Sequence, residues 1–392
     1  MSFLFATGIE NGYPVLPNGT RVDRMDASGH YAYWERDFAL ARELGVDALH
    51  YGPAYYLVHT APDIFDFSVS DEPMERLREL GLEVIADLCH FGVPSWMDGF
   101  QDPAFPVHFA EYARAFARRY PWVRYYTPVR EIFTAALSSA YRGEWNECAA
   151  GEAELATALR HLCTAHEMAV DAILSERPDA VIIQTESVEQ YDGATQPTRA
   201  EAERWNAIKM VALDLTLGRE LAPTMAAWLH EHGLRSNELR FFRETRARGR
   251  RWLGLAYHER RERRVGADGR TTDARGPLGL RCLAVSYYHR CKLPLFVTES
   301  GGSARTAPGW LSTQWRDVTA LRRAGIPVRG FSWQPLTDRA EPALLEETAY
   351  PSGLADARRR IRPVGEAYRR LIEEARAELG ERSTRLRVVE SA

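Results

Sequence analysis

The stretch PMERLRELGLEVIADLCHF, residues 73–91, holds one complete helix-to-strand unit. Pro73–Leu80 is amphipathic at helical spacing, Gly81 is placed to stop that helix, and Glu83–Cys89 is an apolar run of strand length. Its strand candidate is apolar on both faces, as a central parallel strand must be, yet it ends in polar Asp87 and His90. A strand of this kind belongs inside a sheet covered by helices.

Working outward, the same alternation recurs along the chain. Strand candidates are Phe3–Thr7, Ala48–Gly52, Glu83–Cys89, Tyr125–Pro128, Ala180–Thr185, Trp252–Tyr257, Leu295–Thr298 and Val328–Trp333. Amphipathic segments at Tyr33–Leu44, Pro73–Leu80, Pro106–Arg119, Glu152–Arg177, Arg204–Leu217, Leu278–His289, Trp310–Ala324 and Pro363–Leu379 follow them. Gly45 precedes the second strand and Gly325-Ile326-Pro327 the eighth, in the manner of helix stops. Eight such units in 392 residues predict a single α/β domain, a closed (β/α)8 TIM barrel over residues 1–380, with a polar, frayed tail at 381–392.

Composition narrows the function. A charged fraction of 27% with a net charge of -4, both signs mixed, argues against disorder and against a nucleic-acid partner held through phosphates. No apolar stretch reaches the length of a membrane span, and Met1–Thr7 lacks the features of a secretory signal, so the expected location is cytoplasmic and the expected partner a small molecule. Cys89, Cys148, Cys163, Cys282 and Cys291 show no CxxC pair and read as reduced packing residues. Oligomeric state is not legible in the sequence.

Barrel active sites lie at the C-terminal ends of the strands, so those positions carry the chemistry. In strand order they offer Glu10-Asn11, His50, Asp87 with Cys89-His90, Arg130-Glu131, Gln184-Thr185-Glu186, Tyr257-His258-Glu259, Glu299 and Trp333-Gln334. Glu131 and Glu299, on strands four and seven, would face each other across the mouth, as acid and base or nucleophile must in a glycosidase. The segment Glu259–Gly276 carries six arginines (260, 261, 263, 264, 270, 275) against four acids (259, 262, 268, 273), and reads either as a solvated hairpin or as a lid favouring anionic ligands. With Val188–Ala200 it is the longest irregular piece.

The order of five motifs resembles glycoside hydrolase family 1, the β-glucosidase and β-galactosidase family. They are Trp34-Glu35-Arg36-Asp37, Cys89-His90-Phe91-Gly92-Val93-Pro94-Ser95-Trp96, Thr127-Pro128-Val129-Arg130-Glu131, Phe296-Val297-Thr298-Glu299-Ser300-Gly301 and Gly330-Phe331-Ser332-Trp333. The similarity runs from Phe3 to about Leu371, in a chain shorter than typical members. The resemblance implies that Glu131 is the general acid/base and Glu299 the nucleophile of a retaining β-glycosidase. It further implies that His90 binds a sugar hydroxyl, that Trp333 lies under the sugar ring, and that Tyr257 hydrogen-bonds the nucleophile. Glu10 and Glu186 are further candidates for substrate contact.

Two departures fall inside this site. Where the family has an Arg supporting the nucleophile at the end of strand two, this chain has His50; where it has an Asn before the acid/base, this chain has Arg130. A guanidinium beside Glu131 is expected to hold it ionised, against its proton-donating role, unless Arg130 instead takes over the support of Glu299. Asp338-Arg339-Ala340-Glu341-Pro342 also lacks the family's second Trp. The expectation is a glycosidase of altered specificity, acting on a glycoside or modified sugar, with feeble ordinary β-glucosidase activity. A non-hydrolytic tailoring enzyme and an inactive saccharide-binding protein are the alternatives. No cofactor is expected: no metal site is visible, and Glu299-Ser300-Gly301-Gly302 lacks the spacing and Lys of a phosphate-binding loop.

Overall fold

A computed structural model describes residues 3–390 apart from 246–247, 260, 275–276, 303–304 and 339–352, and only the backbone from 379 onward. Eight strands close a parallel barrel: β1 (Leu4–Gly8), β2 (Ala48–Tyr51), β3 (Glu83–Cys89), β4 (Tyr125–Val129), β5 (Val181–Ser187), β6 (Arg250–His258), β7 (Leu295–Gly301) and β8 (Val328–Ser332). Each strand pairs with its neighbours in chain order, and β8 returns to β1 through Leu4 opposite Gly330. The (β/α)8 barrel expected from the alternation is therefore the fold.

Helices α1 (His30–Glu43), α2 (Ser68–Glu79), α3 (Phe105–Arg119), α4 (Glu152–Glu176), α5 (Gln196–Thr216), α6 (Gly279–Cys291), α7 (Ala307–Arg323) and α8 (Pro363–Glu390) cover the sheet. Gly81 and Gly325 leave their helices at φ 63 and 83, a conformation that costs other residues and returns the chain to β3 and β8. Two further helices, Pro223–Glu231 and Ser236–Thr245, fill the crossover before β6. The helix α8 continues through most of the segment read as a polar tail, which has neither Pro nor Gly beyond Gly380 to end it.

The two-residue period of the strands sorts side chains into two layers. Leu4, Ala6, Ala48, Ile85, Tyr125, Val181, Ile183, Trp252 and Phe296 fill the barrel interior. Their alternates, among them Val84, Ala86, Ile182, Leu253 and Leu255, pack outward against the helices. Trp252 stacks on Phe296 with ring centres 6.2 Å apart, so the interior is a plugged core with the mouth above it.

Both segments read as irregular contain regular structure. Gln190–Gly193 pairs in parallel with Glu262–Val265, which pairs in turn with Thr271–Asp273, giving a small sheet beside the mouth. The second segment is thus the hairpin offered as one of its two readings, whereas its parallel pairing with Gln190–Gly193 joins segments distant in sequence and leaves no local periodicity to read. Of the arginine-rich segment, Arg260, Arg275 and Gly276 lie outside the described residues, as do Arg339–Pro342 after β8.

Candidate active site

Glu299 reaches the mouth because of a bulge. Three residue steps on β7, from Phe296 to Glu299, run opposite two on β6, from Gly254 to Ala256. The extra residue reverses the alternation, so Glu299 shares the inward side of Phe296 instead of the outward side of Val297. Its Oε2 accepts a hydrogen bond from Nη2 of Arg130, and His258 Nε2 stands 3.0 Å from its Oε1. Burial opposes ionisation here, but Arg130 and then His258 outweigh it, and the carboxyl is held well below its ordinary range.

Arg130 is buried, and both of its terminal nitrogens are engaged by acceptors. Nη1 donates to Asp87 Oδ2 at 2.6 Å, and Nη2 donates both to Glu299 and to Gln334 Oε1 at 3.2 Å. Asp87 faces inward because it stands two residues above Ile85 on β3, and His50 stands two above Ala48 on β2. His50 Nδ1 lies 3.4 Å from Asp87 Oδ2 and its ring meets Phe296, 6.1 Å between centres. Despite complete burial, Arg130 and His50 lower the Asp87 carboxyl to about 2. The guanidinium thus sits on Glu299 and Asp87, in the role the sequence reading reserved for a cation on strand two.

Glu131 is the second residue past β4. It takes a left-handed backbone (φ 48, ψ 63), its N–H bonds to Thr185 O at 2.9 Å, and it precedes a short helix, Ile132–Ala136. Thr134 Oγ1 donates to its Oε2 at 3.1 Å and Arg261 Nη2 stands 3.6 Å from the same oxygen. The expected lowering by Arg130 is present but is outweighed. Burial is the dominant influence and the charge of Glu299 adds to it, so the carboxyl is raised; Arg261, Arg130 and His258 pull it down by less. The two glutamates share one electrostatic environment and are driven in opposite directions by it.

His90 is buried at the rim. Its Nδ1 is 3.2 Å from Asn11 Oδ1, and Asn11 Nδ2 donates to Asp87 O at 2.8 Å. Burial, then Arg130, hold the imidazole well below its ordinary value, so it is neutral with the proton on Nδ1, facing the amide oxygen, and a lone pair on Nε2. Glu10 pairs with Arg24, both nearly covered.

Three candidates stand elsewhere. Tyr257 follows the outward parity of Leu253 and Leu255; its hydroxyl donates to Glu262 Oε1 at 2.7 Å and its ring stacks on Trp310, so it does not bond Glu299. His258, the next residue, points inward and takes that place. Glu186 shares the outward parity of Ile182 on β5. It accepts from Phe133 N at 3.4 Å, beside Gln184, which donates to Thr216 of α5, and burial lifts its carboxyl to about 8. Trp333 is 0% exposed within the outer apolar cluster and presents no surface to a ligand, whereas Gln334 beside it contacts Arg130. Sequence reading named Asp87, His258 and Gln334 among the strand-end residues and Arg261 in the arginine-rich segment, but gave none of them a part in the two-glutamate site. Strand parity carried forward from the apolar residues would have found Asp87 and His258; Arg261 depends on the small sheet.

No family model and no curated protein matches this chain. Among solved structures it is similar to β-glucosidase from Thermotoga maritima in complex with castanospermine, with a TM-score of 0.79, 15% identity, and 95% of this chain and 97% of that one covered. The complex of that enzyme with noeuromycin gives 0.79 and 15%, covering 95% and 98%. The structure described as the family 1 β-glucosidase of the same organism gives 0.78 and 14%, covering 95% and 98%. At this identity the likeness establishes a shared fold, a (β/α)8 barrel over nearly the whole chain. Among the described residues no helix is long and apolar enough to cross a membrane.

Proposed function

We propose that this protein is a retaining β-glycosidase in which Glu299 is the nucleophile and Glu131 the general acid/base. The observation that carries the reading is the opposed setting of two carboxyls at one barrel mouth. Glu299 is held ionised with a guanidinium on one oxygen and an imidazole on the other, and Glu131 is biased by burial toward its protonated form. A retaining mechanism requires that division of labour at the start of its cycle. Glu299 attacks the anomeric carbon while Glu131 gives its proton to the departing oxygen. Water, deprotonated by Glu131, then cleaves the glycosyl ester and restores both groups.

Altered specificity belongs to the same proposal. The resemblance puts an amide at position 130, against the sugar 2-hydroxyl; here that place is filled by a guanidinium committed to Asp87, Glu299 and Gln334. The substrate is accordingly a glycoside or modified sugar that does not depend on that amide. Neutral His90 offers Nε2 as an acceptor for a hydroxyl donor.

The test uses dinitrophenyl β-glucoside, β-galactoside and β-glucuronide with wild type, Glu299→Ala and Glu131→Ala. Glu299→Ala is expected to lose activity by about 10⁴-fold or more. Glu131→Ala should retain formation of the glycosyl-enzyme with this activated leaving group and regain turnover with azide, giving the β-glycosyl azide. A fluorinated mechanism-based glycoside should add covalently at Glu299. Equal rates in all three proteins would remove the two-carboxylate mechanism. Saccharide binding without adduct or turnover would instead favour a binding protein, and a product other than the hydrolysed pair a tailoring enzyme.

A further inference from the structure

The small sheet beside the mouth delivers one side chain to the site. Arg261 opens the hairpin Glu262–Val265/Thr271–Asp273; its N–H donates to His258 O at 3.2 Å and its carbonyl accepts from Gln190 N at 3.1 Å. The backbone is thereby tied to β6 on one side and to the segment after β5 on the other. The guanidinium spans two acids, with Nη1 3.2 Å from Glu189 Oε1 and Nη2 3.6 Å from Glu131 Oε2. Glu189 is itself anchored: Tyr191 donates to its Oε2 and Lys209 to its carbonyl oxygen. One end of the bridge is fixed, and the other ends on the group that must lose and regain a proton.

We propose that Arg261 is a positioning residue that holds the ionised form of Glu131 during the second half of the reaction. The inference rests on the two-glutamate reading. In the first half the proton of Glu131 moves to the leaving oxygen and Glu131 becomes a buried carboxylate. Without a cation that species is costly, and it would retake a proton before it could accept one from water. A contact of 3.6 Å to the neutral acid is longer than a hydrogen bond, and closes as the charge appears. Glu189 competes for the same guanidinium, which keeps Glu131 from being ionised too early. The groups facing Glu131 are Arg261, Glu299, Arg130, His258, Thr134 and, from behind, Glu186. Arg130 and His258 are bonded to Glu299, which leaves Arg261 as the cation in contact with Glu131 among the described residues.

The experiment compares R261Q, R261K and E189Q in the full chain, with carbon-labelled glutamate. The Glu131 carboxyl resonance, assigned by its loss in E131Q, should titrate at higher pH in R261Q, near wild type in R261K, and at lower pH in E189Q. With the dinitrophenyl β-glycosides, R261Q should keep its burst of phenolate while steady-state kcat falls on the order of tenfold, part of the ~10²–10⁴-fold that positioned acid–base groups supply. The acid limb of kcat should move up in parallel. General loosening of the hairpin would shift R261Q and E189Q the same way, so shifts of one sign, or an unmoved R261Q titration, overturn the inference. A wild type that forms no adduct at Glu299 overturns the glycosidase reading instead, and leaves the titrations to judge Arg261 alone.

Discussion

The two walls of the mouth treat the same side chain in opposite ways. On β7, Glu299 meets a guanidinium at one oxygen and an imidazole at the other, and these direct contacts, Arg130 foremost, overcome burial. Across the mouth, Glu131 meets a hydroxyl and one guanidinium that lies beyond hydrogen-bond length and is shared with Glu189, and there burial wins. A carboxyl's charge in a low-dielectric site is thus set by which cation is bonded to it, and far less by how many stand nearby. Arg130 is the clearest case: it is adjacent in sequence to Glu131 and acts on Glu299.

Removing Arg130 should break the contrast most completely. Arg130→Gln leaves Asp87 and Glu299 buried around a neutral amide, and breaking a buried ion pair costs about 3–5 kcal/mol. Glu299 then resembles Glu131, and kcat/KM on the dinitrophenyl probes is expected to fall about 10²–10³-fold. Urea unfolding and steady-state kinetics read the two effects. The double variant H50R/R130N returns the cation to strand two, and should recover most of the lost stability if position 50 and position 130 have exchanged duties. A single variant as stable and active as wild type would show that the guanidinium supports neither acid.

How much of this was legible beforehand depends on what each residue is held by. The eight strands were readable because each carries its own apolar run, from Phe5 and Ala6 to Phe331. Glu131 and Glu299 were readable as strand-end acids. The bulge that turns Glu299 inward was not, since it exists only as a mismatch with β6. Tyr257 and Glu186 were misplaced for the same reason: strand-end position is visible in a sequence, but the side that a residue faces follows from counting back to the core. Arg130 was legible as a departure and ambiguous in direction, because its three acceptors come from β3, β7 and the end of β8.

A second variant should sharpen the contrast by acting behind Glu131. Glu186 is sealed between β5 and the helices with its carboxyl raised to about 8, so the native protein keeps it protonated where the unfolded chain does not. Its contribution to stability is fully present below the ordinary glutamate value and is lost as pH rises from about 4.5 to about 8. Glu186→Gln removes that dependence. The variant should match wild type near pH 4, exceed it by roughly 3 kcal/mol at pH 7, and hold a constant advantage above pH 8. Unfolding curves across this range are the check, and a difference independent of pH would mean that Glu186 does not titrate between the two states.

The smallest effect is expected at the other oxygen of Glu299. His258 stands 3.0 Å from Oε1 and helps to lower the carboxyl, but Arg130 precedes it in weight and remains when it is removed. His258→Asn should therefore cost less than about tenfold in kcat/KM at neutral pH, near 1 kcal/mol. The pH profile is more telling than the rate. On the proposed mechanism Glu299 must be ionised to attack, so the acid limb of kcat/KM should report its titration in the free enzyme. Loss of a partner that favours the anion raises that titration, and the acid limb should move to higher pH while the basic limb, set by Glu131, moves little. A shift of the basic limb alone would mean that His258 serves the acid on β4, and that the mouth is not divided between its two walls in the way its contacts imply.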